Sequence, residues 1–255
     1  MTDNRPTLAL ICSLLALVLT LAGRVYAVDG VIEINQARAD KGGVTPGDMP
    51  GLPITISTGT FSVEPMSFRL TGPLFTSTSS NVIEILSPHV TVDLNGFMIA
   101  CLLPLCSGTG IVSAQDHTTI VNGTLRGFAT GVDLSGNTAR IENMRAVGNT
   151  LGLRASNNCI VRNSLSSSNG GDGIRTGPGC TVVGNTAGSN GGDGIETGSG
   201  SNVIGNTARN NTGFGLNLAS ETGYNQNVVS NNTGGTVSSG VPTGGNLCEG
   251  STTCP

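Results

Sequence analysis

The sequence contains no tryptophan, two tyrosines and six phenylalanines, so aromatic residues fill only 3% of its 255 positions. A core must therefore be aliphatic, and a sugar platform built from stacked rings is poorly supplied. Charge is also sparse, at 11% Asp, Glu, Lys and Arg with a net charge of −4. No basic patch stands out, which argues against nucleic acid as a partner. The only histidines are His89 and His117, and no cysteine is spaced with them as a zinc site requires. The longest apolar run, residues 8 to 22, is 15 residues long, short of the roughly 20 that cross a bilayer as a helix.

That run follows a polar start carrying Arg5 and precedes Val25-Tyr26-Ala27, the pattern of a secretory signal peptide over residues 1–27. Cleavage would remove Asp3, Arg5, Arg24 and Cys12, leaving 15 acidic and 10 basic residues, a net charge of −5, and six cysteines. The expected location is secreted or periplasmic, with no membrane span after cleavage. An even number of cysteines in an exported chain points to disulfides. Cys101 and Cys106 bracket LLPL, and Cys248 and Cys254 bracket EGSTT, so each pair reads as neighbours.

Glycine is abundant, with 39 residues, and much of it is periodic. A glycine followed by an aliphatic residue recurs at Gly110-Ile111, Gly131-Val132, Gly152-Leu153, Gly173-Ile174, Gly194-Ile195 and Gly215-Leu216, each step being 21 residues. An asparagine after a short β-branched run forms a second series: Asn122, Asn143, Asn163, Asn185, Asn206 and Asn231. Its last step of 25 implies four extra residues within ASETGYNQ. Short alternating segments separated by Gly, Asn and Ser cannot be helices. They read as strands, with Ile111, Val132, Leu153, Ile174, Ile195 and Leu216 facing inward, joined two residues later by Ser113, Leu134, Ala155, Thr176, Thr197 and Leu218. A chain that closes a circuit every 21 residues stacks each strand on its counterpart about 4.8 Å away.

These motifs, with VTVDLNGFMI at Val90–Ile99, resemble a right-handed parallel β-helix of the pectate-lyase-like superfamily. The expected fold is all-β, a solenoid of seven or eight turns with about 21 residues per turn. Residues 28–80 form an N-terminal cap and first irregular turns, 81–235 the β-helix, and 236–255 a Gly- and Ser-rich tail with a Cys pair. Stacking puts Cys159 and Cys180 on adjacent rungs, within reach of a disulfide. By the same count His117 joins their column. Asp133, Arg154, Arg175 and Glu196 share one outward column in which acid faces base twice.

The resemblance implies work on polysaccharides, but fold alone supplies no site. The paired aspartates and the GHG and RIK motifs of hydrolases of this fold are absent, and SPHV at Ser87–Val90 keeps only the central Pro-His of an epimerase DPHD motif. The sharpest local candidates are Asp172 and Asp193, each in NGGDGI one turn apart, which would place two carboxylates within about 5 Å as metal ligands for calcium. Asn169, Asn190 and backbone carbonyls would have to complete such a site. Arg154, Arg162 and Arg175 lie in neighbouring turns, although a guanidinium is a poor base unless its environment is special. The sequence thus points to a secreted scaffold or binding module without catalysis. The alternative is a polysaccharide-active enzyme, a calcium-assisted lyase; an adhesin fragment is a third class, for which no surface anchor is visible. The pattern carries no signal of oligomeric state.

Overall fold

The computed structural model describes residues 30–45, 47–57 and 66–254; the expected signal peptide lies outside them. The described chain is a parallel β-solenoid whose strands stack in three columns. The first, here called face 1, holds nine strands: Ile54–Ile56, Ile83–Ile85, Cys106–Ser113, Phe128–Leu134, Leu151–Ala155, Ile174–Thr176, Ile195–Thr197, Phe214–Leu218 and Gly235–Val237. Nine rungs exceed the seven or eight expected, because irregular turns near both ends also stack. The other two columns merge into a 17-stranded sheet, since Thr119–Arg126 and Arg140–Val147 run continuously around the corner between them.

Register follows the glycine period. Ile111 pairs with Val132, Val132 with Leu153, and so on through Leu216 and Val237, always 21 residues on. The six aliphatic residues of this column from Ile111 to Leu216 are fully buried. Each such side chain contributes roughly 1.5–3 kcal/mol on leaving water, so the column is the backbone of the core. The glycine before each has a steric reason. A Cβ on Gly173 would sit 2.7 Å from Gly194 O and 2.6 Å from Asn190 Nδ2, and one on Gly194 would sit 2.6 Å from Gly215 O. Neighbouring backbone passes too close for any side chain.

Two features of the asparagine series differ from expectation. Leu216 pairs with Val237 and Thr207 with Val228, so the last turn has no four-residue insertion. The series itself merges three columns. Asn122, Asn143 and Asn163 occupy a corner with φ of 61°, 53° and 52°, which asparagine tolerates better than most side chains. Asn185 and Asn206 stand one position further on, buried, in a ladder that continues to Asn227 and Asn246. Asn231 belongs to another corner, with Ser168, Ser189 and Asn210, all at positive φ. A second buried ladder runs Asn149, Asn169, Asn190, Asn211 and Asn232, each side chain accepting the backbone N–H of the preceding member at 3.0–3.1 Å. These ladders satisfy amides that turn inward at the corners, where no strand partner is available.

The ends are closed. Helix Gln36–Lys41, capped by Asn35 accepting Arg38 N–H at 3.0 Å, sits by the first rung, and Gln36 Oε1 accepts Phe75 N–H. At the other end Val241–Gly244 and Leu247–Cys248 add to the last turn, and Cys254 packs on the core. Disulfides join Cys101 to Cys106, Cys159 to Cys180 and Cys248 to Cys254.

Candidate functional site

The outward side of face 1 carries the charged column in the expected register: Asp133 beside Arg154, Arg154 beside Arg175, Arg175 beside Glu196, then Asn217. Arg154 Nη1 lies 3.1 Å from Asp133 Oδ2. Arg175 grips Glu196 with two nitrogens, Nε to Oε2 at 2.8 Å and Nη2 to Oε1 at 3.1 Å. Arginine's planar fork suits this bidentate contact.

Asp172 and Asp193 sit at the corner where the chain enters face 1. With Glu196 they form a half-buried group whose carboxylate oxygens lie within 4.8 Å of one another. Each aspartate also bonds to the next rung. Asp172 Oδ1 accepts Asp193 N–H at 2.8 Å, and Asp193 Oδ1 accepts Phe214 N–H at 2.6 Å, while Asp193 Oδ2 takes Asn217 Nδ2 at 2.7 Å. The sequence reading placed Glu196 in the charged column but not beside the two aspartates, although it follows Asp193 by three residues, as Arg175 follows Asp172. Arg175 Nη1 stands 4.0 Å from Asp172 Oδ2.

Electrostatics follow from this crowding. Burial pushes the Glu196 carboxyl above its ordinary value of 4.5; Arg175 opposes the shift and Asp172 reinforces it. The hydrogen bond and charge of Glu196 hold the Arg175 proton more tightly than usual, with Asp172 and Asp193 adding to the effect. Such a guanidinium cannot serve as a base near neutral pH.

A calcium ion ligated at 2.3–2.6 Å by one oxygen from each acid would fit oxygens this close, and would need three to five further oxygens. Asn169 and Asn190 do not supply them. They are 3% and 1% exposed, and their amides are spent in the buried ladder, which corrects the ligand set expected from NGGDGI. Arg162 does not join the group either. It lies on the strand Ile160–Arg162 of another column and binds Glu142 Oε2 at 2.7 Å, with Arg140 on the other carboxylate oxygen.

The histidines form a separate feature. His117 is not in the cysteine column: Thr118, Ala139, Cys159 and Cys180 align there, linked by backbone bonds. The turn at Ser156–Asn158 is one residue shorter than its predecessor, which shifts the count. His117 instead stacks on His89, with ring centroids 4.6 Å apart and planes 10° apart, and its Nδ1 is 2.7 Å from Thr138 Oγ1.

Recesses of the described surface include the following two. One, of about 230 Å³, lies between Arg154, Ala155 and Ser156 on one rung and Arg175, Thr176 and Gly177 on the next. The other, of about 420 Å³, borders the disulfide-closed loop that exposes Leu102, Leu103 and Leu105, with Arg126 at its edge.

A family model described as a right handed beta helix region matches residues 98–240. Among solved structures, the A-module of Azotobacter vinelandii mannuronan C-5 epimerase AlgE6 is similar, with a TM-score of 0.54 at 13% identity over 71% of this chain. The match spans 56% of that module, and at this identity it shows a common fold alone. No curated protein matches the sequence.

Proposed function

The chain belongs to the right-handed β-helix family, and from that premise we propose that it is an exported, non-catalytic module that binds an extended polysaccharide along the outward side of face 1. The observation that carries this reading is the commitment of the charged groups there. Asp133, Arg154, Arg175 and Glu196 are paired across rungs, and Asp172 and Asp193 hold backbone amides of the next rung. Groups fixed in this way present a rigid polar surface repeating every rung, about 4.8 Å, to a ligand that also repeats. Three disulfides fit an oxidising, extracytoplasmic location. The epimerase module, named for its action on mannuronan, supplies an analogy of fold in favour of a polysaccharide partner. Affinity electrophoresis through gels containing neutral, carboxylated and sulfated polysaccharides tests the reading: retardation by at least one polymer supports it, and equal mobility in all of them refutes it.

The convergence of Asp172, Asp193 and Glu196 favours a second reading, a calcium-assisted lyase acting on uronic-acid polymers. On that reading calcium raises the melting temperature, EDTA reverses the rise, and Asp172→Ala and Asp193→Ala abolish it. A melting temperature indifferent to both reagents rejects it.

A further inference from the structure

Arg154 and Arg175 are direct neighbours on adjacent strands of face 1. Like charges placed opposite each other in a sheet repel, so this pair is an exception in a column that otherwise alternates. Each guanidinium is neutralised from its far side, Arg154 by Asp133 on the preceding rung and Arg175 by Glu196 on the following one, with Asp172 4.0 Å away. Both arginines line the recess of about 230 Å³. Its lining contains both arginines and the residues Ser156, Thr176 and Gly177, but no acid. Only Nη1 of Arg154 bonds Asp133, so Nε and Nη2 of its fork remain for a ligand, whereas Arg175 spends Nε and Nη2 on Glu196 and offers Nη1. Both side chains are about half exposed, at 49% and 50%, and open to solvent.

We propose that this recess is an oxyanion subsite, in which Arg154 and Arg175 clamp a carboxylate or sulfate group carried by the polymer. The proposal deepens the binding-module reading and rests on it. Guanidinium charge persists at every physiological pH; Arg154 can meet a planar or tetrahedral oxyanion with two parallel hydrogen bonds from Nε and Nη2, and Arg175 adds a contact from Nη1. A bridging anion would also remove the repulsion between the two rungs, which gives the pairing a purpose that alternation would have denied it. Because the protein as a whole carries a charge of −4, attraction to a polyanion must be local. Binding should therefore respond to these two positions rather than to overall charge.

The test is isothermal titration of the purified protein with polygalacturonate, dextran sulfate and neutral dextran, using the wild type, Arg154→Gln, Arg175→Gln and the conservative Arg154→Lys. The expected result is binding of at least one anionic polymer, weakened about tenfold or more by either glutamine and less by lysine. Circular dichroism and melting temperature should stay close to wild type, because exposed ion pairs contribute little. Preference for polygalacturonate identifies a carboxylate and preference for dextran sulfate a sulfate ester; either supports the subsite. Anionic polymer bound equally by wild type and both glutamine variants would overturn it. Binding of dextran alone would overturn the subsite and leave the module, whereas binding of no polymer would overturn both.

Discussion

Replacing Asn206 with alanine should unfold this protein far more readily than its modest change in volume suggests. The residue is 1% exposed. Its Oδ1 accepts Asn185 N–H at 2.9 Å and Asn185 Nδ2 at 3.0 Å, and its Nδ2 donates to Val182 O at 2.9 Å and Asn227 Oδ1 at 3.1 Å. Alanine deletes these four buried hydrogen bonds, leaving Asn185 N–H without its acceptor, while Asn185 Nδ2 keeps Val161 O and Asn227 Oδ1 keeps Asn206 N–H. At about 1 kcal/mol each, the loss is about 4 kcal/mol. Asn202→Ala, at the exposed first position of the strand Asn202–Ile204, removes no buried side-chain hydrogen bond and should change stability by less than about 0.5 kcal/mol. Denaturant titration followed by circular dichroism measures both, and the slope reveals whether the solenoid still melts as one unit. A loss below about 1 kcal/mol for Asn206→Ala would show that the ladder does not hold the rungs, and would refute the reasoning.

Three further outcomes follow from other parts of the molecule. Gly173→Ala should destabilise by about 2 kcal/mol or more, because its methyl would meet Gly194 O at 2.7 Å; denaturation tests this, and a neutral result contradicts the close approach. Replacing Cys159 and Cys180 together with serine opens a crosslink spanning 21 residues and should cost about 3 kcal/mol in thermal or denaturant unfolding, against little change when wild type is already reduced. Glu196 has a raised folded-state pKa, so its protonated form favours the folded state at low pH; that contribution fades as pH rises from about 4.5 through the folded value. Glu196→Gln should therefore flatten the fall of melting temperature over that window, and an unchanged pH profile would count against the burial effect.

Much of the fold was legible because one steric requirement repeats. Where backbone approaches backbone, only glycine fits, so Gly110 to Gly215 mark six of the nine rungs and the aliphatic residue after each marks the core. Asparagine was harder to read because it meets two needs, a corner with positive φ at Asn122, Asn143 and Asn163, and a buried amide ladder at Asn185 and Asn206 one position later. A count that treats both as one landmark drifts by a residue and then invents an insertion near residue 222. His117 was misplaced for a similar reason, a turn shortened by one residue. At the candidate site the register of Asp133, Arg154, Arg175 and Glu196 was readable from spacing. The approach of Glu196 to Asp172 and Asp193 was not, since Glu196 lies on the strand Ile195–Thr197 and the aspartates on the corner before it, and spacing along the chain does not give the distance between them.

The most direct test of the central claim is to incubate the purified protein with polygalacturonate, alginate and dextran sulfate in calcium and in EDTA, following bound protein and ultraviolet absorbance of unsaturated product in the same samples. The account predicts bound polymer with flat absorbance under both conditions. A calcium-dependent rise in absorbance that Asp172→Ala and Asp193→Ala abolish would contradict it and establish a lyase.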